Sequence, residues 1–218
     1  MSLATLLVLA DGRLPAGGHA HSGGLEAAVE ARRVTDLASL EGFLRGRLAT
    51  SGVVAAAFAA AACAGAVDGP QRVEALDEGL DARTPSPAVR RASRAQGRAL
   101  MRAARAMWPV PDIGREPHHP VALGVVAEAA GLTPRDAATA AAYGSLTGPA
   151  TAAVRLLGLD PYGTHALLAA LAPDCDRIAG EAAAHAHDDV DDLPAASAPL
   201  LDLGAEHHAT WEVRLFAS

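Results

Sequence analysis

The chain has 218 residues, a formal net charge of −7, and a composition that is 50% hydrophobic but only 3% aromatic. That acidity argues against a general nucleic-acid binder, which carries a basic surplus, and the length admits one generous domain or two small ones. All eighteen basic residues are arginine, which excludes any chemistry that needs a lysine.

Alanine supplies roughly a quarter of the residues, and it is the best intrinsic helix former, whereas β-branched and aromatic strand formers are scarce. The expectation is an all-α protein with close, alanine-lined helix contacts. Cys63 and Cys175 lie far apart in helix-like segments and read as reduced thiols of a cytoplasmic protein. No basic region precedes the first apolar run, which argues against a signal peptide. The longest apolar run, 52–67, is mostly alanine and too short for a comfortable membrane span. It reads as a buried or subunit-facing helix.

In chain order, residues 2–10 read as a short apolar helix. The stretch Leu14-Pro15-Ala16-Gly17-Gly18-His19 to Ser22-Gly23-Gly24-Leu25-Glu26 follows. It is glycine-rich, yet it lacks the Gly-Lys-Ser/Thr ending of a phosphate loop and the second strand of a dinucleotide fold. Its glycines suit a sharp turn into a helix reaching about residue 32. Ser22 and Glu26, four apart, would share one face of that helix, a candidate partner-docking surface. Thr35 or Asp36 caps the next helix, with Leu37, Leu40, Leu44 and Leu48 on one stripe. Gly52 interrupts, and alanines continue to Val67. The turn Asp68-Gly69-Pro70 starts a helix to about residue 82.

Ser86 caps a helix expected to reach Met107. Val89, Gln96, Leu100 and Met107 fall within a narrow sector at 100° per residue. Arg90, Arg91, Arg94, Arg98, Arg102 and Arg105 fall opposite, with no acidic residue interleaved. Such a face is either solvated or a docking surface for an acidic partner, whose carboxylates suit arginine's planar fork. A loop from Trp108 leads to His118-His119-Pro120 and a helix to about residue 130. Thr133-Pro134-Arg135-Asp136 is a capped start. Gly144, Gly148 and Pro149 bend or break the helix that follows. Asp160-Pro161 opens another, Pro173-Asp174 the next, and that one ends near His187. The acidic run 188–192 and the segment to 198 read as a flexible, solvated connector. A last short helix spans about 200–211, ahead of the tail Arg214-Leu215-Phe216. The sum is a single compact domain, 1–218, of about ten helices.

No catalytic constellation emerges. No Gly-x-Ser-x-Gly elbow surrounds Ser22, and neither cysteine has a flanking cation to activate it. Eight of the nine histidines fall in four pairs, none in a His-Glu-x-x-His frame. His185 and His187, beside the aspartates, are the best candidates for loose surface metal binding. No tightly bound cofactor is expected.

Four stretches together resemble the urease accessory protein UreF family. They are the glycine turn just quoted; Arg90-Arg91-x-Ser93-x-x-x-Gly97-x-x-Leu100; His118-His119-Pro120-Val121-Ala122-Leu123-Gly124 with Ala152-Ala153-Val154-Arg155-Leu156 downstream; and Pro199-x-x-Asp202 to Glu206-His207 with Arg214-Leu215-Phe216-x-Ser218. Departures occur at His19, Ala20 and Ala92, and in Leu157-Gly158-Leu159-Asp160-Pro161. The resemblance implies an all-helical homodimer without enzymatic activity. It implies a scaffold that bridges UreD (also called UreH) and the GTPase UreG so that the assembly delivers nickel to apo-urease. It also implies a C-terminal tail that orders against UreD, and partner contacts at Pro15, Gly17, Gly18, Ser22, Glu26, Arg90, Arg94, Arg98, Arg155, Arg214, Leu215 and Phe216. Arg155 and the 90–105 face become candidates for GTPase control, since an inserted arginine stabilises transition-state charge. Two other readings stand beside it: a helical DNA-binding regulator using the arginine face, and a histidine-based nickel carrier.

Overall fold

The computed structural model describes residues 2–66 and 69–217; the expected helix end at Val67, the turn residue Asp68 and the terminal Ser218 lie outside them. The described residues form ten α-helical segments and no strand: α1 (Leu3–Leu9), α2 (Leu25–Glu30), α3 (Leu37–Arg47), α4 (Val53–Gly65), α5 (Pro70–Ala82), α6 (Pro87–Ala104), α7 (His119–Ala129), α8 (Pro134–Leu157), α9 (Pro161–Ala184) and α10 (Pro199–Ala209).

The alanine-rich α4 is the axis. Every residue from Ala56 to Gly65 is buried, against α7 on one side and α8 and α9 on the other. Alanine permits this because helices whose contacts end at Cβ can approach closely and still fill space. Gly124 of α7 shows the limit of that approach: a Cβ there would lie 2.3 Å from the Ala59 carbonyl oxygen. Gly97 does the same for α6, where a Cβ would lie 2.0 Å from the Pro117 carbonyl oxygen. The glycines of the second and third resemblance motifs are thus sites of helix and loop contact.

Several boundaries differ from the sequence expectation. Asp36, not Thr35, caps α3 through a reciprocal capping box with Ser39. α3 does not stop at Gly52 but runs through a π-helical turn, Leu48–Gly52, into α4. The continuous rod Leu37–Gly65 is long and apolar enough to cross a membrane, yet 72% of its apolar window is buried by the other helices. It is the core helix of the domain. α6 ends at Ala104, so Met107 leaves the apolar stripe and is 40% exposed.

α8 passes unbroken through Gly144, Gly148 and Pro149. Pro149 has no N–H for the carbonyl of Ser145, and Arg47 replaces it: its Nε donates to that oxygen at 2.9 Å. α9 likewise passes through Pro173. There both Pro173 and Ala169, whose carbonyl the missing N–H would have served, are exposed, a position where solvent can serve a freed carbonyl.

The acidic segment expected to be a loose connector is pinned to α5. Arg83 donates to the carbonyls of Val190 at 2.7 Å, Leu193 at 3.1 Å and Pro194 at 3.2 Å. Leu193 is buried in a satellite core with Phe58, Leu76 and Leu80. Four main-chain carbonyls of this segment, with that of Gly79, bind the cation, while the side chains of Asp189, Asp191 and Asp192 stay exposed.

Candidate docking site at the glycine turn and C-terminal tail

Gly17, Gly23 and Gly24 all hold positive φ (78°, 62° and 88°). Gly23 and Gly24 turn the chain so that Ser22 can meet the start of α2, where its Oγ accepts from the Glu26 N–H at 3.2 Å. Gly23 is also the approach point of Arg47, whose Nη1 donates to its carbonyl at 2.8 Å. One guanidinium therefore joins α3, the glycine turn and the proline position of α8. Burial lowers the Arg47 pKa to about 10, which leaves it cationic at neutral pH. No sequence pattern singles out Arg47, because neither carbonyl it serves is near it in the chain.

Ser22 and Glu26 share a face, as their spacing requires, but that face is buried: they are 0% and 7% exposed. The chain's own tail covers this candidate docking face. The Glu26 carboxylate accepts from the backbone N–H of Leu215 at 2.8 Å and of Phe216 at 3.1 Å, and from His208 Nε2 at 2.8 Å. Ala217 adds a fourth tie, its N–H donating to the Ala20 carbonyl at 2.7 Å. The Phe216 ring is 5% exposed and lies under the Arg155 guanidinium, 4.9 Å from its centre. The tail is therefore anchored on its own chain.

The C-terminal end of α10 is tied to two neighbours, α2 through His208 and α6 through Glu206. His208 packs on Trp211, ring centres 4.7 Å apart, while Glu206 reaches the start of α6. There Glu206 accepts from Ser86 Oγ at 2.5 Å and the Ala88 N–H at 2.7 Å. These hydrogen bonds, the Ser86 one foremost, hold its pKa below the usual carboxylate range.

Of the residues expected to contact partners, Gly17, Ser22, Glu26, Arg155, Leu215 and Phe216 come together here. Arg214 is exposed beside Leu215, and Pro15 and Gly18 are exposed on the turn, with open space where a Gly18 Cβ would stand.

Arg90, Arg94 and Arg98 belong to a different cluster. Arg94 bonds Asp77 at 3.0 Å and Asp81 at 2.7 Å, Arg90 approaches Asp81 at 3.9 Å, and Arg98 pairs with Glu116. For these three arginines the counter-charges that the helix lacks come from α5 and from Glu116 in the loop after α6. Beside them sits fully buried His118, its Nδ1 3.0 Å from Ser93 Oγ and its Nε2 3.1 Å from Asp81. Burial, with the Arg94 charge, outweighs the two aspartates and pushes the His118 pKa down. Burial likewise takes His119 down to about 4, assisted by nearby His21.

The weak metal candidates are elsewhere. His185 Nδ1 bonds Asp188 at 2.7 Å, and His187 is exposed. Among the described residues no three His, Cys, Asp or Glu side chains come together in a metal-binding group.

Comparison with known proteins gives the arrangement a lineage. A family model described as UreF matches residues 34–172. Over 100% of this chain and 99% of the relative, the sequence is 51% identical to the urease accessory protein UreF of Mycobacterium sp. (strain JLS). It is 50% identical to that of Mycolicibacterium vanbaalenii and 44% identical to that of Mycobacterium tuberculosis (strain H37Rv), at the same coverage. The glycine turn and the tail lie outside the family-model match and inside these full-length similarities.

Proposed function

The chain belongs to the UreF family of urease accessory proteins, and from that premise we propose that it is a non-enzymatic scaffold of urease maturation that bridges UreD (UreH) and the GTPase UreG. In this reading nickel reaches apo-urease through the assembled complex, in the cytoplasm, and no tightly bound metal resides in this chain.

One observation carries the proposal. The tail backbone is fastened by Glu26 and Ala20, yet its apolar side chains Val213 and Leu215 are 87% and 65% exposed. A terminal segment that is fixed in place and still presents apolar side chains to water is arranged for a partner. Leu200 and Leu203 of α10, 62% and 68% exposed, extend the apolar surface. Arg155, stacked on the anchored Phe216, is the arginine best placed to meet a GTPase once the tail is covered. Exposed Leu3 and Leu7 of α1 supply the apolar area for a homodimer.

The test is capture of UreD by the full chain carrying Val213→Glu and Leu215→Glu. These changes leave Phe216, Glu26 and their hydrogen bonds in place. Capture should be lost while the far-UV circular dichroism stays that of the wild type. Undiminished capture would overturn tail docking.

A further inference from the structure

The six arginines from Arg90 to Arg105, five in α6 and the last capping it, do not share one fate. Arg90, Arg94, Arg98 and Arg105 each have a carboxylate within 4.0 Å, Arg105 at 3.6 Å from Asp112. Arg91 and Arg102 have none among the described residues, and neither does Arg115 on the loop that follows α6. Arg102 and Arg115 are exposed and border the same open cleft of about 380 Å³, with Arg98, Arg105 and Asp112 on its sides and Met101 in its wall. Four arginines face one aspartate there, and Glu116 offsets one more of them. This positive excess sits on a protein whose net charge is −7.

We propose that this cleft between the C-terminal half of α6 and the 112–115 loop binds a carboxylate-rich segment of a partner protein. Nothing in the cleft depends on the maturation role.

The geometry favours a protein segment over a phosphate group. Arg98, Arg102 and Arg105 follow one another at helical spacing along roughly 10 Å of α6, a row that matches successive carboxylates of a peptide better than one compact anion. The row lies at the end of the helix where the dipole favours cations, so no cradle of main-chain N–H groups faces it. The loop's own Gly114 N–H is turned to Asp112 Oδ1 at 3.2 Å. Side-chain forks are what remain, and two-pronged pairing with carboxylates is what they do well.

The experiment is fluorescence anisotropy of a fluorescein-labelled oligoglutamate peptide with the full chain. The variants are Arg102→Glu/Arg115→Glu and, as control, Arg91→Glu, which reverses another exposed arginine of α6 that does not line the cleft. Circular dichroism confirms that each is folded. The peptide should bind the wild type at about 50 mM salt. The double variant should weaken it at least ~tenfold, and the control less than about twofold. Absence of wild-type binding, or equal loss in the control, overturns the proposal. So does pyrophosphate or duplex DNA binding the cleft more tightly than the peptide, since either would make the ligand a phosphate.

Discussion

The residue that most changes how this chain is understood is Arg47. It is one of eighteen basic residues and has no partner nearby in sequence. Yet it supplies the hydrogen bond that Pro149 removes from α8 and holds the Gly23 carbonyl of the glycine turn. Replacing it by methionine leaves two sheltered carbonyls without a donor, at a cost of about 3 kcal/mol. Pro149→Ala restores an amide N–H to the Ser145 carbonyl. In that background Arg47→Met should cost about 1 kcal/mol less. A double-mutant cycle by urea denaturation checks this, and equal costs in the two backgrounds would show that the Ser145 contact contributes nothing. Glu26 carries a similar lesson. Its spacing from Ser22 was legible in the sequence, but its exposure was not, because the amides of Leu215 and Phe216 that cover it come from the far end of the chain.

Among the helices, glycine separates what can be read locally from what cannot. Gly124 and Gly144 both sit inside alanine-rich helices and look alike in sequence. In the fold, a Cβ at Gly124 would lie 2.3 Å from a carbonyl oxygen of α4 and 2.7 Å from the Ala62 Cβ, whereas one at Gly144 meets nothing within 4 Å. Gly124→Ala should therefore destabilise by about 3 kcal/mol through overpacking. Gly144→Ala should stabilise by about 0.5–1 kcal/mol, since an exposed helical glycine only loses entropy relative to alanine. Thermal or urea unfolding of the two variants checks the opposite signs. The same local blindness explains why the breaks expected at Pro149 and Pro173 are absent. A proline weakens a helix by freeing one carbonyl, and a donor from another helix takes it up in one case, while solvent can serve it in the other.

For the whole molecule, two desolvated histidines, fully buried His118 and half-buried His119, shape the response to acid. His118 and His119 are both held neutral, with pKa values below the ordinary 6.5, His119 at about 4. In the unfolded chain both protonate near pH 6.5. As the pH falls from about 6.5 towards 4, the unfolded state therefore binds more protons than the folded one, and stability is lost across that window. Above about pH 7 neither group contributes a slope. At pH 4.5 the loss assigned to His119 is about 2 kcal/mol. His119→Asn should flatten the denaturation midpoint between pH 6.5 and 4.5 by that amount, and an unchanged slope would place the acid sensitivity elsewhere. At the same scale, the sequence alone determined the all-helical class, the caps at Ser86 and Thr133, and the family, since these rest on composition, neighbouring residues and ordered motifs. Only the tertiary structure decided which arginines of α6 remain unpaired, that the acidic connector is pinned, and that the tail closes over the glycine turn. Those outcomes depend on donors and carboxylates brought together from distant parts of the chain, and helical periodicity carries no information about charge or hydrogen-bond partners on another helix.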